Sequence, residues 1–139
     1  MKYYAVIDTN VIVSSMLKHD SVPGMIVDYI NSKLIIPLLN EEILCEYYDV
    51  LTRNKFGFNS SDVEDLLNNI KKNSIYLNKE QTLEDFIDED DIVFYEIVMS
   101  ARNTMDAYLI TGNIKHYPVR NYVVTPKQML SIIEGENEE

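Results

Sequence analysis

The sequence predicts an α/β domain built on a mainly parallel sheet, and two observations support this prediction. The first is that Tyr3–Ile7 and Leu34–Leu38 are continuous apolar runs, typical of strands buried on both faces of a parallel sheet. The second is that such runs alternate with longer segments of helical periodicity, as they do in βαβ units. A chain of 139 residues has the size of a single domain that can bury a real core.

The same criteria place the other elements along the chain. Proline and glycine mark the loop near residue 24, and capping residues followed by acids mark the helix starts. The predicted elements after the first strand are, in order, helix 11–18, helix 25–30, strand 34–38, helix 41–54, a helix from Ser60 or Ser61 to Lys72, a short edge strand 74–77, helix 92–101, strand 107–110, strand 122–124 and a final helix beginning near Pro126.

Composition limits the class of protein. We expect residues 1–134 to form one domain and residues 135–139, which are rich in glutamate, to form an acidic disordered tail. No apolar run approaches the roughly 20 residues that a membrane span needs, and the N-terminus does not read as a signal peptide. Cys45 is the only cysteine, so no internal disulfide is possible and a cytoplasmic location is expected. We expect Cys45 to be a small core residue rather than a nucleophile.

The chain is strongly acidic. Its net charge is −11, from 23 acidic residues against 12 lysines and arginines. This balance argues against non-specific nucleic-acid binding, which needs a basic surface. Two interpretations stay open: the acids keep the surface soluble, or some of them converge on a metal site, where a bound cation reverses the local sign.

The first strand ends on three polar residues, Asp8, Thr9 and Asn10, and a helix follows at once. Ligands of open α/β sheets bind at the carboxyl ends of the strands, so Asp8 is a candidate binding residue. A carboxylate beside so much apolar sequence loses hydration and persists with a partner, often a metal ion. The alternative is a simple turn residue. We expect Asn10 to be the N-cap of the helix.

Helix 41–54 carries a second candidate carboxylate. Its apolar stripe includes Ile43 and Val50, and at roughly 100° per residue Glu46 falls between them. Glu46 then points towards the sheet edge that carries Asp8. The alternative interpretation is a glutamate at the margin of the stripe that reaches water. Arg53, near the end of this helix, either contacts a substrate phosphate or complements the helix C-terminus.

Two later segments add polar residues at the same predicted edge. Four consecutive acids, 88–91, precede helix 92–101, and Asp91 lies one turn before the first apolar residue of its stripe. Capping explains some of these acids, with Asp88 or Asp90 as the cap, but a bound divalent ion better explains an inward Asp91. The next strand ends on Thr111 and Asn113, which should stand near Asp8. We expect His116 to be neutral and structural.

Four segments in this order and spacing resemble the PIN-domain nucleases, and among them the toxins of toxin–antitoxin pairs. The segments are Val6–Val11, Glu42–Phe56, the pair Asp88 and Asp91, and Leu109–Asn113. The resemblance implies a three-layer α/β/α sandwich with a mainly parallel central sheet. It also implies a carboxylate site for Mg²⁺ or Mn²⁺.

Carried over residue by residue, the resemblance assigns Asp8, Glu46 and Asp91 as catalytic carboxylates and metal ligands. Thr9, Asn10, Asp88 and Thr111 are then supporting residues. Asn113 stands where the family usually has a fourth aspartate. It still offers a neutral oxygen ligand, but the missing charge should weaken the binding of a second metal most.

The resemblance further implies a metal-dependent ribonuclease, often a homodimer, with an antitoxin protein as partner. With so acidic a surface, RNA would need a local basic strip. Its candidates are Lys18, Arg53, Lys55, Lys115 and Arg120.

Two alternatives stay open. One is a phosphatase of the haloacid dehalogenase type, whose chemistry wants an aspartate where this chain has Asn10. The other is a PIN-like binding module that has lost activity. Metal-dependent cleavage of RNA distinguishes the nuclease from the module, because the module binds a partner and leaves RNA intact.

Overall fold

A computed structural model describes residues 1–86 and 88–137. In this part of the chain five strands alternate with six α-helices. The strands are β1 (Tyr3–Ile7), β2 (Ile35–Leu39), β3 (Ile75–Tyr76), β4 (Ala107–Ile110) and β5 (Val123–Val124). The α-helices are α1 (Thr9–Leu17), α2 (Val22–Asn31), α3 (Glu41–Leu51), α4 (Ser60–Asn73), α5 (Ile92–Arg102) and α6 (Pro126–Asn137), with short 3₁₀ turns at Glu89–Asp91 and Ile114–His116.

The five strands form one parallel sheet in the order β3-β2-β1-β4-β5. The sheet is flanked by the six helices, so the predicted three-layer α/β/α sandwich is confirmed. The chain runs from β1 to β2 and β3 on one side, and β4 and β5 are added on the other side. This reversal of strand order beside β1 is the place where parallel α/β sheets bind their ligands.

The central strand β1 owes its position to its sequence. Ala5, Val6 and Ile7 are fully buried, because neighbouring strands and helices cover both faces of the strand. Each buried branched side chain of this size contributes roughly 2 kcal/mol of hydrophobic stabilisation. The register pairs Ile7 with Ile110, so β1 and β4 end together, and the Asp8 amide donates to the Ile110 carbonyl at 2.9 Å. The residues that follow the two strands are therefore neighbours.

The start of α1 differs from the prediction. Asp8 has extended backbone angles and is the N-cap residue, and Asn10 lies inside the first turn. The Asn10 side chain makes a different contact, because its Oδ1 accepts from the Gly112 amide at 3.0 Å. The expected cap at Asn10 is wrong, since the helix begins directly at the strand end. Asn10 instead connects α1 to the segment after β4.

Two further expectations change. Cys45 is exposed, so its assignment to the core is wrong. Cys45 lies two residues from both Ile43 and Tyr47, which corresponds to about 200° around a helix. It is therefore on the opposite side of α3 from these two buried residues. Helix α3 also ends at Leu51, before the predicted residue 54, because the chain continues in tighter turns.

At the other end of the chain, α6 runs to Asn137, which is three residues into the segment expected to be a disordered tail. Residues 138–139 lie outside the described part, as does residue 87 of the predicted polar loop. No helix in residues 1–86 and 88–137 is long and apolar enough to cross a membrane.

Candidate active site

Asp8 lies at the carboxyl end of β1 with only 5% of its surface exposed. Its Oδ2 accepts two hydroxyl hydrogen bonds, from Thr111 Oγ1 at 2.8 Å and from Tyr117 at 2.9 Å. Burial raises the pKa of Asp8, and these hydrogen bonds oppose the rise. The chain thus holds a carboxylate in an apolar setting with dedicated donors.

Asp91 shares one of these donors. The Tyr117 hydroxyl lies 3.4 Å from Asp91 Oδ1, and His116 Nδ1 lies 3.2 Å from Asp91 Oδ2. Burial raises the pKa of Asp91 to about 6, helped by the negative charges of Asp8 and Asp88 and opposed by His116. The structure therefore brings two of the predicted carboxylates to either side of one hydroxyl, as expected for Asp91 on the inner side of its helix.

Glu46 lies beside this pair on α3. Its Oε2 accepts from Thr9 Oγ1 at 2.6 Å, and Thr9 is the residue that follows Asp8. Burial, and then the charges of Asp8 and Glu46, raise the pKa of Tyr47, whose hydroxyl donates to the carbonyl of Ile7. Glu46 is half-buried, and its side chain bonds to Thr9 just after the end of β1. Of the two orientations considered for Glu46, the structure shows the inward one.

The open side of Glu46 faces a cleft of about 730 Å³ between α3 and the start of α5. Acidic residues dominate its walls, and Lys79 is the only lysine or arginine among the lining residues. That lysine pairs with Glu42 at 2.8 Å. The residues lining the cleft are Glu41, Glu42, Cys45, Glu46, Asp49, Lys79, Glu89, Asp90, Ile92, Val93 and Glu96.

The predicted supporting residues divide into two groups. Thr111 is fully buried and donates to Asp8, and Asn10 accepts from the Gly112 amide on the segment after β4, so both contact the end of β4 or the residues beside it. Asp88 is exposed, and its Oδ1 accepts from the Asp90 amide at 3.0 Å, which is the capping role considered as an alternative. Asn113, which was predicted as a metal ligand and not as a supporting residue, is exposed after β4, where its backbone amide donates to Thr111 Oγ1 at 2.9 Å.

The predicted basic residues lie on the surface rather than around the carboxylates. Arg53 is half exposed and pairs with Asp49 at 3.3 Å, and Arg120 pairs with Glu84. Lys55 lies 5.1 Å from the ring centre of Phe56. Lys115 is exposed on the 3₁₀ turn next to His116, close in sequence to the site.

Sequence reasoning missed two residues. Tyr117 is 5% exposed and contacts both Asp8 and Asp91, but a tyrosine after a polar turn carries no signal of such a position. Glu96 is also 5% exposed, and its Oε2 accepts from the Thr82 amide at 2.9 Å. A signal for Glu96 existed, because it is a lone acid within the apolar sequence Ile92–Met99.

The donor atoms of this arrangement decide which kind of divalent-cation site it suits. Among residues 1–86 and 88–137, no three histidine, cysteine, aspartate or glutamate side chains are grouped closely enough to enclose a metal. Mg²⁺, however, commonly binds through one or two carboxylates and keeps several waters. Asp8 and Asp91, which share a hydroxyl and have raised pKa values, supply hard oxygen ligands of this kind. The residues present therefore fit a hydrated Mg²⁺ or Mn²⁺ better than a fully protein-enclosed ion.

A family model described as PIN domain matches residues 4–115, from β1 to the turn that carries Lys115. The match covers Asp8, Glu46, Asp91 and Asn113, and it ends just before His116 and Tyr117. No curated protein and no solved structure matches the chain.

Proposed function

Because the chain belongs to the PIN-domain family, whose fold is of the nuclease type, we propose that it is a metal-dependent endoribonuclease. Asp8, Glu46 and Asp91 are its catalytic carboxylates. One observation carries the proposal: Asp8 and Asp91 come from different elements and meet at a single buried hydroxyl beside the switch point of the sheet. Ligands of parallel sheets bind at this place.

Each residue has a role in this proposal. Asp8 and Asp91 would hold Mg²⁺ or Mn²⁺, Glu46 would close the site from α3, and Asn113 would add a neutral oxygen from the segment after β4. A bound divalent ion lowers the pKa of a water and stabilises the charge that develops on the phosphodiester oxygens. Thr111 and His116 hold the two aspartates by hydrogen bonds. Since asparagine carries no charge, we propose that one metal ion binds more tightly than a second.

The proposed substrate is RNA, and the acidic surface restricts how it approaches. The cleft beside Glu46 repels phosphates, so we propose that RNA reaches the carboxylates from the side of Lys115, which contacts phosphates. Arg53 pairs with Asp49 on the wall of that cleft and takes no part in this approach. We also propose a homodimer, in which the basic residues of two subunits form a longer strip. An antitoxin protein with a basic segment is the proposed inhibitor, because its charge would complement the acidic cleft. A cytoplasmic location is part of this proposal.

A second candidate function is a PIN-like binding module without activity. The observation that favours it is the neutral, exposed Asn113 at the fourth position, together with the lack of three clustered metal-binding side chains in the described part of the chain. Such a module would bind a partner through the same cleft and leave RNA intact.

The deciding experiment is cleavage of a mixed RNA pool with Mn²⁺, with Mg²⁺ and with EDTA. The variants are Asp8→Asn and a matched control, Asp65→Asn, which changes an exposed aspartate on α4. The nuclease predicts cleavage that requires metal and Asp8 and that Asp65→Asn leaves unchanged. Cleavage that survives Asp8→Asn refutes the site. Intact RNA, with a melting temperature that Mn²⁺ still raises, favours the binding module.

A further inference from the structure

The Tyr117 hydroxyl lies between the two aspartates of the proposed metal site. We propose that Tyr117 is a positioning residue, which orients the Asp8 carboxylate beside Asp91 for binding of the divalent cation. This inference rests on the proposed function, because it concerns the metal ligands of the same site. It assigns a role to a residue beyond the matched family segment, which ends at residue 115.

The two contacts of the hydroxyl are unequal, and a phenol carries only one proton to donate. The distance to Asp8 Oδ2 is 2.9 Å, and the distance to Asp91 Oδ1 is 3.4 Å. The shorter contact takes the proton, so Asp91 Oδ1 faces the oxygen of the phenol. Asp91 Oδ1 receives no proton from this phenol, so a nearby cation stabilises its charge more than that of an oxygen that already accepts a hydrogen bond. We assign this atom to the metal.

Asp8 is held in a complementary way. Its Oδ2 receives hydrogen bonds from both Thr111 and Tyr117, which fixes the plane of the carboxylate with two donors from the segment after β4. Neutral donors of this kind are the usual outer partners of metal-binding carboxylates, which they orient without competing in charge. Removing one donor lets the Asp8 carboxylate rotate more freely, because the energy difference between its metal-binding orientation and the other orientations becomes smaller.

The fold fixes Tyr117 itself. Its ring is 5% exposed and packs edge-on against Phe86, with ring centres 6.0 Å apart and planes at 86°. Its amide donates to the Ile114 carbonyl at 3.2 Å, and Pro118 follows it. A hydroxyl on so constrained a ring has few alternative positions. It can therefore fix the orientation of the Asp8 carboxylate beside Asp91.

The test is Mn²⁺ affinity, measured by calorimetric titration and electron paramagnetic resonance without RNA. Tyr117→Phe removes only the hydroxyl oxygen, and loss of an outer hydrogen-bond partner typically weakens metal binding about 10- to 100-fold. The matched control is Tyr122→Phe. It removes a hydroxyl that lies 3.3 Å from the Tyr95 hydroxyl and contacts neither aspartate. We expect Tyr122→Phe to bind Mn²⁺ as the wild type does.

Two further measurements keep the outcomes separate. Thermal unfolding in EDTA shows whether Tyr117→Phe folds, and the same measurement on Tyr122→Phe shows whether the control variant folds. Weakened Mn²⁺ binding by folded Tyr117→Phe alone supports the inference. Unchanged or tighter binding by Tyr117→Phe overturns it and leaves the proposed function standing. A wild type that binds no Mn²⁺ overturns both.

Discussion

The carboxylates of the proposed metal site should lower the stability of the metal-free protein. The contribution of Asp91 to this loss can be measured. The pKa of Asp91 rises from the ordinary 3.8 to about 6, mainly through burial and then through the charges of Asp8 and Asp88. The folded protein therefore binds more protons than the unfolded chain between about pH 4 and pH 6. Stability falls as the pH rises through this window and stays low above it.

The magnitude follows from the same shift. A rise from 3.8 to about 6 corresponds to an upper limit of about 3 kcal/mol, at 1.36 kcal/mol for each pH unit. The Asp91 side chain is 14% exposed, and screening by solvent reduces this to about 1 kcal/mol. Asp91→Asn removes the charge and should stabilise the metal-free protein by about this amount at pH 7.5. For a domain of this size, that corresponds to about 3 °C in melting temperature.

The assay is thermal and urea unfolding of metal-stripped protein at pH 7.5 and at pH 4.5, with Asp65→Asn as the matched control. The gain from Asp91→Asn should shrink at pH 4.5, where the wild-type carboxyl is mostly protonated. With Mn²⁺ the order should reverse, because only the wild type keeps the charged ligand. An Asp91→Asn protein that is no more stable than the wild type at pH 7.5, or whose gain is the same at both pH values, refutes the reasoning.

Three other perturbations follow from the site and its support. Thr9→Val removes the hydroxyl that donates to Glu46 Oε2 and should lower RNA cleavage about 10-fold with little change in the urea midpoint; an unchanged rate would show that this bond does not orient Glu46. Tyr47→Phe removes the hydroxyl that donates to the Ile7 carbonyl and should cost about 1–2 kcal/mol of unfolding free energy, whereas the exposed Tyr48→Phe should cost almost nothing. Asn113→Asp adds the carboxylate that the family usually has and should raise the number of Mn²⁺ ions bound in a calorimetric titration; unchanged stoichiometry would place residue 113 outside the metal site.

Much of the site was predictable because it depends on strand ends and helix phase. A buried run that stops at Asp8, and a second one that stops before Thr111, identify one sheet edge from the sequence alone. Helix periodicity likewise put Glu46 near the middle of the apolar stripe of α3 and left an inward and a solvated side chain equally open; in the structure it bonds to Thr9. The same periodicity argues against a buried Cys45, and applying it there would have corrected the expectation.

The remainder depended on tertiary packing. Tyr117 reaches the carboxylates because the chain after β4 makes a 3₁₀ turn that returns its ring to the strand end. No local pattern indicates this return. Glu96 is buried because the segment near Thr82 covers it, and its carboxylate accepts a hydrogen bond from the Thr82 amide. That segment has no regular secondary structure, so the sequence does not predict where it lies.

The two edge strands have a consequence for self-association. Both β3 and β5 contain only two residues, so each outer edge of the sheet exposes very few backbone groups. A neighbouring chain that approached either edge would find few unpaired backbone groups with which to form strand hydrogen bonds. Short edge strands of this kind protect proteins against aggregation by edge-to-edge strand pairing. A second copy of the chain must therefore bind through side chains on helices and loops, and interface variants for the proposed homodimer should be chosen there.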